Sequence, residues 1–301
     1  MPESAYVALH RKGQLLDRAA QAVKGLRACR LCPRECGVDR MVGKMGVCKT
    51  GRKARVASHH AHHGEERPLV GRGGSGTIFF SSCNLFCTFC QNYEISHLNE
   101  GREVSPNGLA DRMLDLQRQG CHNINFVTPS HVVPQILEAL IPAADAGLRV
   151  PLVYNSGGYD SVETLRLLDG VFDIYMPDFK FWEGRWAERY ASAADYRERA
   201  MTALKEMHRQ VGDLRIGPDG VATRGLLVRH LVMPNGVAGT RGIMRFLAGE
   251  ISKETYVNVM AQYRPCGKAH GDEAIGRGPT QAEYEEAVST AREAGLTRLD
   301  R

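Results

Sequence analysis

The pattern of apolar and polar positions becomes regular after residue 76. Short runs rich in Val, Ile and Leu alternate there with longer segments whose apolar residues recur at helical spacing. The short runs predict six strands, at 77–81, 123–127, 150–154, 173–176, 226–232 and 256–260. The longer segments predict helices at 109–119, 132–146, 161–168, 186–211, 243–251 and 281–294.

Six strand-then-helix units in succession favour parallel strands with helices outside them. Strands that are apolar throughout are typical of sheets buried on both faces. Because six units are too few for a closed eight-stranded barrel, we predict an α/β fold, a partial (β/α)6 TIM-like barrel over residues 76–301. Residues 1–75 form an N-terminal cysteine-rich, metal-binding extension. In this architecture, functional side chains lie at the carboxyl ends of the strands.

The first predicted strand leads into the run SCNLFCTFC at residues 82–90, which places Cys83, Cys87 and Cys90 in a C-x3-C-x2-C pattern. Three thiolates on one loop can hold three corners of a cubane iron–sulfur cluster. The fourth iron then keeps an open position, which is where a metal site does chemistry. The alternatives are a zinc knuckle without its fourth ligand and buried thiols without a metal.

A second cysteine set lies in the extension, with the spacing Cys29-x2-Cys32-x3-Cys36-x11-Cys48. Four thiolates can close a structural zinc site or hold an auxiliary iron–sulfur cluster, and the spacing alone does not separate the two. Because the segment precedes the barrel and has no extra acid–base residues, we favour the structural metal. Four free thiols are the third alternative.

Polar and Gly-rich stretches follow the predicted strands at 128–131, 155–159 and 177–180, and Arg229 lies within the fifth strand. Parallel strands bring their carboxyl ends to one rim. We therefore expect these side chains to meet around the mouth of the barrel. Cys266 follows the sixth strand and is a candidate for a catalytic role.

A His-rich stretch precedes the barrel. It contains His59, His60, His62 and His63 and is followed by two glutamates, Glu65 and Glu66. We interpret it as a solvated connecting loop. The alternative is that His63 and Glu66 reach the mouth of the barrel. Cys121 enters the second predicted strand, and we expect it in the core.

Composition and charge fit a cytoplasmic enzyme. The chain has 301 residues and a net charge of +5, and seven of its nine cysteines fall in the two sets, which favours metal ligation in a reducing compartment. It has no apolar run long enough to span a membrane and no signal-peptide stretch at its start. Residues 1–60 carry 13 Lys and Arg against 4 Asp and Glu. We interpret this as a solvated basic face, since no aromatic side chains are interleaved as in a surface that binds single-stranded nucleic acid.

These motifs resemble the pyruvate formate-lyase activating-enzyme-like Fe–S proteins, a branch of the radical S-adenosylmethionine (SAM) superfamily, from Cys29 to Cys266. The resemblance implies an oxidoreductase with a [4Fe–4S] cluster and SAM, which is cleaved reductively to a 5′-deoxyadenosyl radical that abstracts hydrogen from a substrate. A glycine of a partner enzyme is one candidate substrate. Another peptide side chain or a small molecule is an alternative, and a non-enzymatic metal-binding protein is an alternative of another class.

The resemblance also assigns individual residues. It makes Cys83, Cys87 and Cys90 the cluster ligands and places Phe89 near the adenine. Asp178 and Lys180 match an Asp-x-Lys motif near SAM. The remaining expected SAM contacts are Thr128, Ser130, Asn155, Ser156 and Arg229. A Gly-Gly-Glu motif that holds the SAM amino group in activating enzymes is replaced here by the 128–131 stretch. The implied partners are a low-potential electron donor such as flavodoxin or ferredoxin and a protein or peptide substrate, not a membrane or nucleic acid.

Overall fold

The structure is a computed structural model that describes residues 3–300. Its strands are β1 (Ala54–His62), β2 (Ser75–Phe80), β3 (Arg102–Val104), β4 (Ile124–Val127), β5 (Leu152–Ser156), β6 (Ile174–Pro177), β7 (Arg215–Ile216), β8 (Ala222–Leu231) and β9 (Tyr256–Met260). Its helices are α1 (Ala5–Arg11), α2 (Gln14–Gly25), α3 (Arg67–Val70), α4 (Tyr93–Ser96), α5 (Pro106–Arg118), α6 (Val133–Asp145), α7 (Val162–Leu167), α8 (Gly184–Ala191), α9 (Tyr196–Val211), α10 (Thr240–Phe246) and α11 (Gln281–Glu293).

Six parallel strands form the centre of the sheet, in the order β2-β4-β5-β6-β8-β9. β1 pairs antiparallel with β2, and β3 pairs antiparallel with β1, so both extend the β2 edge. β7 is a short antiparallel partner of β8. The sheet is not closed, because β3 and β9 lie at opposite ends of it. The partial-barrel fold predicted from the sequence is confirmed, with all six predicted strands present.

The two faces of the parallel strands have different roles. Outward residues such as Ile78, Phe80 and Phe126 pack in the main core with the helices. Inward residues form a smaller apolar cluster that includes Val153, Met176 and Leu227. Because side chains alternate along a strand, the residue two positions after each of these faces inward as well. Those residues are Asn155, Asp178 and Arg229, so the polar rim lies directly above an apolar layer.

Local signals explain several helix ends. The hydroxyl of Ser105 accepts a hydrogen bond from the backbone N–H of Gly108, and Pro106 occupies the first turn of α5. Thr280 and Glu283 form a capping box at the start of α11. The segment 186–211, predicted to be mostly helical, is so, but it is divided into α8 and α9, because α8 ends before Ser192, which adopts a positive φ of 49°.

The extension packs on the barrel. His59–His62 lie in β1, so the prediction of a connecting loop is wrong for these residues, which pair with β2. Helices α1 and α2, which the sequence pattern did not predict, contact α6. The expected solvated basic face is also wrong for Arg40, which is 1% exposed. No helix within residues 3–300 is long and apolar enough to cross a membrane.

Candidate functional site

A cavity of about 550 Å3 lies at the carboxyl ends of the parallel strands and extends into the barrel. This cavity is lined by most of the side chains that the sequence predicted for the site: Cys83, Cys87, Phe89, Cys90, Thr128, Asn155, Ser156, Asp178, Lys180 and Arg229. Its volume falls in the range of small-molecule and cofactor sites. The fold therefore brings residues from five strand ends around one cavity.

The cysteine loop presents its thiols to this cavity with hydrogen-bond donors already in place. The backbone N–H of Leu85 donates to Sγ of Cys83 at 3.3 Å, and the hydroxyl of Ser96 donates to Sγ of Cys90 at 3.2 Å. The loop is tightened by a hydrogen bond from the N–H of Cys90 to the carbonyl of Cys87 at 3.1 Å. Donors aimed at sulfur stabilise negative charge on it, as in iron–sulfur sites. The loop thus fits a group held by three thiolates.

Burial raises the pKa of the Cys87 thiol, and nearby Lys180 opposes this shift. A metal that binds here must therefore displace the thiol proton. Within residues 3–300, no group of three or more His, Cys, Asp or Glu side chains is arranged so that it could hold a metal ion. The ligand assignment rests on the spacing of the cysteines and on their place around one cavity.

An ion network faces the thiols from the opposite strand ends. Arg229 donates from Nε to Oδ1 of Asp178 at 2.7 Å and from Nη2 to Oδ1 of Asn155 at 2.7 Å. Lys180 donates from Nζ to Oδ2 of Asp178. Burial alone would raise the pKa of Asp178, but Arg229 and Lys180 outweigh it and hold that pKa below its usual value. Asp178 is therefore a carboxylate that keeps two cations at the rim.

Thr128 adopts a backbone conformation that is rare for its residue type. Its φ is +62°, in the left-handed region that disfavours β-branched side chains, and its N–H donates to the carbonyl of Asn155 at 2.8 Å. Such conformations cost on the order of 1–3 kcal/mol and cluster at functional sites. Thr128 lines the cavity, so this rare conformation lies at the candidate site.

Ser130 and Cys266 do not line this cavity. Ser130 is buried and donates its hydroxyl to Oδ1 of Asp160 at 2.6 Å. Cys266 is half-buried, and the residues after it dock on the cysteine loop, since the N–H of Lys268 donates to the carbonyl of Thr88 at 2.8 Å. The geometry thus places Ser130 behind the lining and Cys266 next to the segment that docks on the cysteine loop.

Phe89 belongs to the cavity wall and to an aromatic cluster. Its ring lies edge-on to Phe181 and Tyr263, with centroid distances of 6.0 and 5.7 Å. Phe89 is 5% exposed. Packing alone therefore fixes its ring, and one edge remains available to a ligand in the cavity.

The second cysteine set surrounds a separate small pocket. Cys29, Cys32, Cys36 and Cys48 all line it, together with the buried Arg40. Burial raises the pKa of the Cys32 thiol to about 12. Because all four thiols line one pocket, the structure brings together the residues that the spacing nominated.

Arg40 supplies a test of what fits this pocket. It donates to the carbonyls of Gly51 at 3.0 Å and His131 at 2.9 Å, and its Nη1 lies 3.8 Å from Sγ of Cys29. Its Nη2 has no partner, and none of its partners within residues 3–300 is a carboxylate. A buried guanidinium without an anion is costly. A metal bound by thiolates carries net negative charge and would supply that anion.

The two cysteine sets are neighbours in space. The side chain of Asn84, which follows the first ligand of the cysteine loop, is among the groups that lower the pKa of Cys32. The carbonyl of Asn84 also accepts a hydrogen bond from Nε of Arg34 at 2.8 Å. The extension therefore anchors the cysteine loop directly.

Several polar residues of the site were missed by the sequence analysis. Asp160, 2% exposed, accepts hydrogen bonds from the hydroxyls of Ser130, Tyr154 and Ser156, at 2.6, 2.9 and 2.6 Å. It thereby fixes Ser156 at the cavity wall. In the sequence, Asp160 directly follows the Gly-rich stretch 155–159, which was assigned to the rim without it.

Two asparagines inside apolar strands were missed as well. Asn125 lies in β4, and Asn258 lies in β9 and lines the cavity. An asparagine within a buried apolar strand could have predicted a site residue, because a buried amide needs hydrogen-bond partners. Glu66, considered as an alternative reach into the mouth, does line the cavity.

Comparison with known proteins places the chain in a family. No protein-family model matches it. It is 32% identical over 294 residues to the uncharacterized protein MJ0674 of Methanocaldococcus jannaschii, which covers 95% of this chain and 80% of that protein. The chain belongs to the MJ0674 family. The alignment covers nearly the whole chain.

A solved structure shares the fold of this MJ0674-family chain. HydG, a maturase of the [FeFe]-hydrogenase, superposes with a TM-score of 0.53 at 11% identity, covering 97% of this chain and 65% of HydG. Methylornithine synthase (PylB) matches with a TM-score of 0.45 at 14% identity, covering 75% of this chain and 63% of PylB. The chain thus spans less than two thirds of either protein. The HydG match confirms the α/β partial-barrel architecture.

Proposed function

We propose that this MJ0674-family protein is a radical SAM enzyme. The observation that carries the proposal is the placement of Cys83, Cys87 and Cys90 in one cavity with Asp178, Lys180 and Arg229. The C-x3-C-x2-C spacing and the HydG-like fold support it. Cys83, Cys87 and Cys90 would hold a [4Fe–4S] cluster, which with SAM bound and one electron from a low-potential donor would supply the reductive cleavage to a 5′-deoxyadenosyl radical.

The protein residues bind and orient SAM. Lys180 and Arg229 donate to its carboxylate, whereas Asn155, Ser156 and Asp178 accept from its amino and ribose groups. Charge-assisted hydrogen bonds of this kind fix position as well as affinity.

The shape of the cavity favours a small-molecule substrate. A glycine on a partner enzyme would need a long open groove, whereas a small molecule needs an enclosed pocket with convergent polar groups. The cavity reaches down to Glu66 and Asn258 inside the barrel. We therefore place a small molecule ahead of a glycyl loop or another peptide side chain, and an enzyme ahead of a non-enzymatic metal-binding protein.

The test is anaerobic reconstitution with iron and sulfide, followed by a strong reductant and SAM. The wild type should release 5′-deoxyadenosine, and the C83A/C87A/C90A variant should release none. C121A is the matched control, because Cys121 is a buried thiol outside both sets and should leave the product yield unchanged. Product from the triple variant would refute the proposal. A flavodoxin or ferredoxin should replace the chemical reductant.

A further inference from the structure

The floor of the cavity is built by the segment that crosses the amino-terminal end of the barrel. Glu65 and Glu66 lie between the end of β1 and the start of α3, and β2 starts after them at Ser75. Both glutamates line the cavity. Their side chains are only 8% and 4% exposed. Two carboxyl groups are thus held inside the barrel, below the cysteine rim.

Glu66 is incompletely bonded for a buried carboxylate. Its Oε1 accepts a hydrogen bond from Nδ2 of Asn258 at 3.0 Å. The other oxygen, Oε2, has no partner within residues 3–300. Nε of Arg229 lies 3.9 Å from Oε1 of Glu66, too far for a hydrogen bond, and donates to Asp178 instead. A buried acceptor without a donor is costly, so this oxygen is available to a ligand.

Asn125 adds an independent unpartnered group at the same level. It is 0% exposed, and within the described chain neither its amide nitrogen nor its oxygen has a hydrogen-bond partner. It faces inward, because Val127 two residues later lines the cavity. Its amide approaches the Glu65 carboxyl closely enough for a weak hydrogen-bonding interaction that lowers the pKa of that carboxyl. Oδ1 of Asn125 and Oε2 of Glu66 therefore remain as two buried acceptors without donors within residues 3–300.

The buried charges of the cavity favour a cation. Its buried carboxyl groups belong to Glu65, Glu66 and Asp178, whereas its buried cations are Lys180 and Arg229. Both cations are already paired with Asp178. Burial raises the pKa of Glu65 to about 7, with Arg229 opposing and Glu66 adding to the shift. The buried carboxyl groups thus outnumber the buried cations by three to two, and Glu66 has no hydrogen-bonded cation.

We propose that Glu65, Glu66, Asn125 and Asn258 bind the protonated amine or guanidine group of a small-molecule substrate. The group donates to Oε2 of Glu66 and to Oδ1 of Asn125, the two acceptors that lack donors. This inference deepens the proposed function, since SAM occupies the rim above and the substrate end lies below it.

Isothermal titration of the full-length protein, without SAM or reductant, tests this floor. The probes are n-butylamine and agmatine, with n-butanol and butyrate as the neutral and anionic isosteres of the amine. The cations should bind at least tenfold more tightly than either isostere. E66Q should weaken cation binding about tenfold or more, because it removes a charge-assisted hydrogen bond.

E183Q is the matched control, because Glu183 lies outside the cavity lining, is about half exposed and pairs with Arg185. It should bind the cations like the wild type. N125A keeps both carboxyl groups and should weaken cation binding less than E66Q does. If E66Q folds poorly, N125A tests the inference in its place. Equal binding of n-butanol, unchanged binding by E66Q and N125A, or no cation binding by the wild type would overturn the inference. The 5′-deoxyadenosine assay is independent of this result, so failure of one proposal is distinct from failure of the other.

Discussion

Arg229 and Asp178 join β8 to the end of β6 by both backbone and side chain. Their backbones form an isolated parallel bridge, and Nε of Arg229 donates to Oδ1 of Asp178 at 2.7 Å. The pair sits above the inward apolar layer, where hydrogen bonds are stronger than in water. Asp178 consequently sets the position of both rim cations, Arg229 and Lys180.

Removing either end of the Asp178–Lys180 pair should weaken SAM binding. D178A leaves two buried cations without their carboxylate, and K180A removes a donor for the SAM carboxylate. A lost charge-assisted hydrogen bond is worth about 1.5–3 kcal/mol, so affinity should fall about tenfold or more. Equilibrium dialysis of reconstituted protein with labelled SAM measures this. The cluster absorption spectrum should stay intact, and unchanged affinity in both variants would show that the pair is structural.

The metal in the four-cysteine pocket can be identified in the C83A/C87A/C90A variant, which keeps only the second set. One metal per chain should remain bound. Elemental analysis that finds zinc supports a structural site, and iron with sulfide supports an auxiliary cluster. A metal-free protein would contradict both.

Arg40 should have opposite effects with and without that metal. In the metal-loaded protein, R40M removes the counter-charge of the thiolates and should make the metal easier to extract with a chelator. In the C29S/C32S/C36S/C48S variant, Arg40 is a buried charge without an anion, so R40M should raise the melting temperature. Calorimetry and chelator titration measure the two effects. If R40M made the metal no easier to extract, or if it lowered the melting temperature of the C29S/C32S/C36S/C48S variant, the role of Arg40 as a counter-ion would be contradicted.

Gly158 should not tolerate a side chain. It has a φ of +78°, and a Cβ at this position would lie 2.1 Å from the carbonyl oxygen of Asp178. G158A should therefore destabilise the fold by several kcal/mol, on the order of the larger point-mutation effects, and displace the rim. Denaturant unfolding measures the loss. G25A is the matched control, since Gly25 has no atoms within 4 Å of its added Cβ, and its stability should be unchanged or slightly higher. Equal effects would contradict the steric argument.

His230 should make the fold less stable at acidic pH. It is 0% exposed, with Nδ1 3.0 Å from the carbonyl of Phe179 and Nε2 2.9 Å from the hydroxyl of Thr240. Burial lowers the pKa of His230 to about 4, against about 6.5 for an unperturbed histidine. The unfolded chain therefore takes up the proton first, and stability that is present above pH 6.5 is lost as the pH falls towards 4, by on the order of 3 kcal/mol.

Unfolding free energies of wild type and H230Q, measured between pH 7.5 and 4, test this prediction. H230Q removes the titrating group, so its stability should fall less over this interval. Parallel curves for the two proteins would show that His230 does not control the acid sensitivity.

The sequence by itself determined the strand order along the chain, the cysteine loop and most of the cavity lining. Strand and helix periods are local, and parallel strands bring their carboxyl ends together in any such sheet. Asn155, Asp178 and Arg229 could therefore be assigned to one rim from their positions alone. The spacing of the two cysteine sets is likewise a local property, although it left the second metal open.

Only the tertiary structure decided which groups meet from distant segments. The His-rich stretch pairs as β1 with β2, and Glu65 and Glu66, which follow β1, therefore line the floor of the cavity. The tertiary structure buried Arg40 against Cys29 and turned Ser130 away from the cavity towards Asp160. These contacts depend on packing and on the hydrogen-bond partners of each buried polar group. Neither can be predicted from the pattern of neighbouring residues in the sequence.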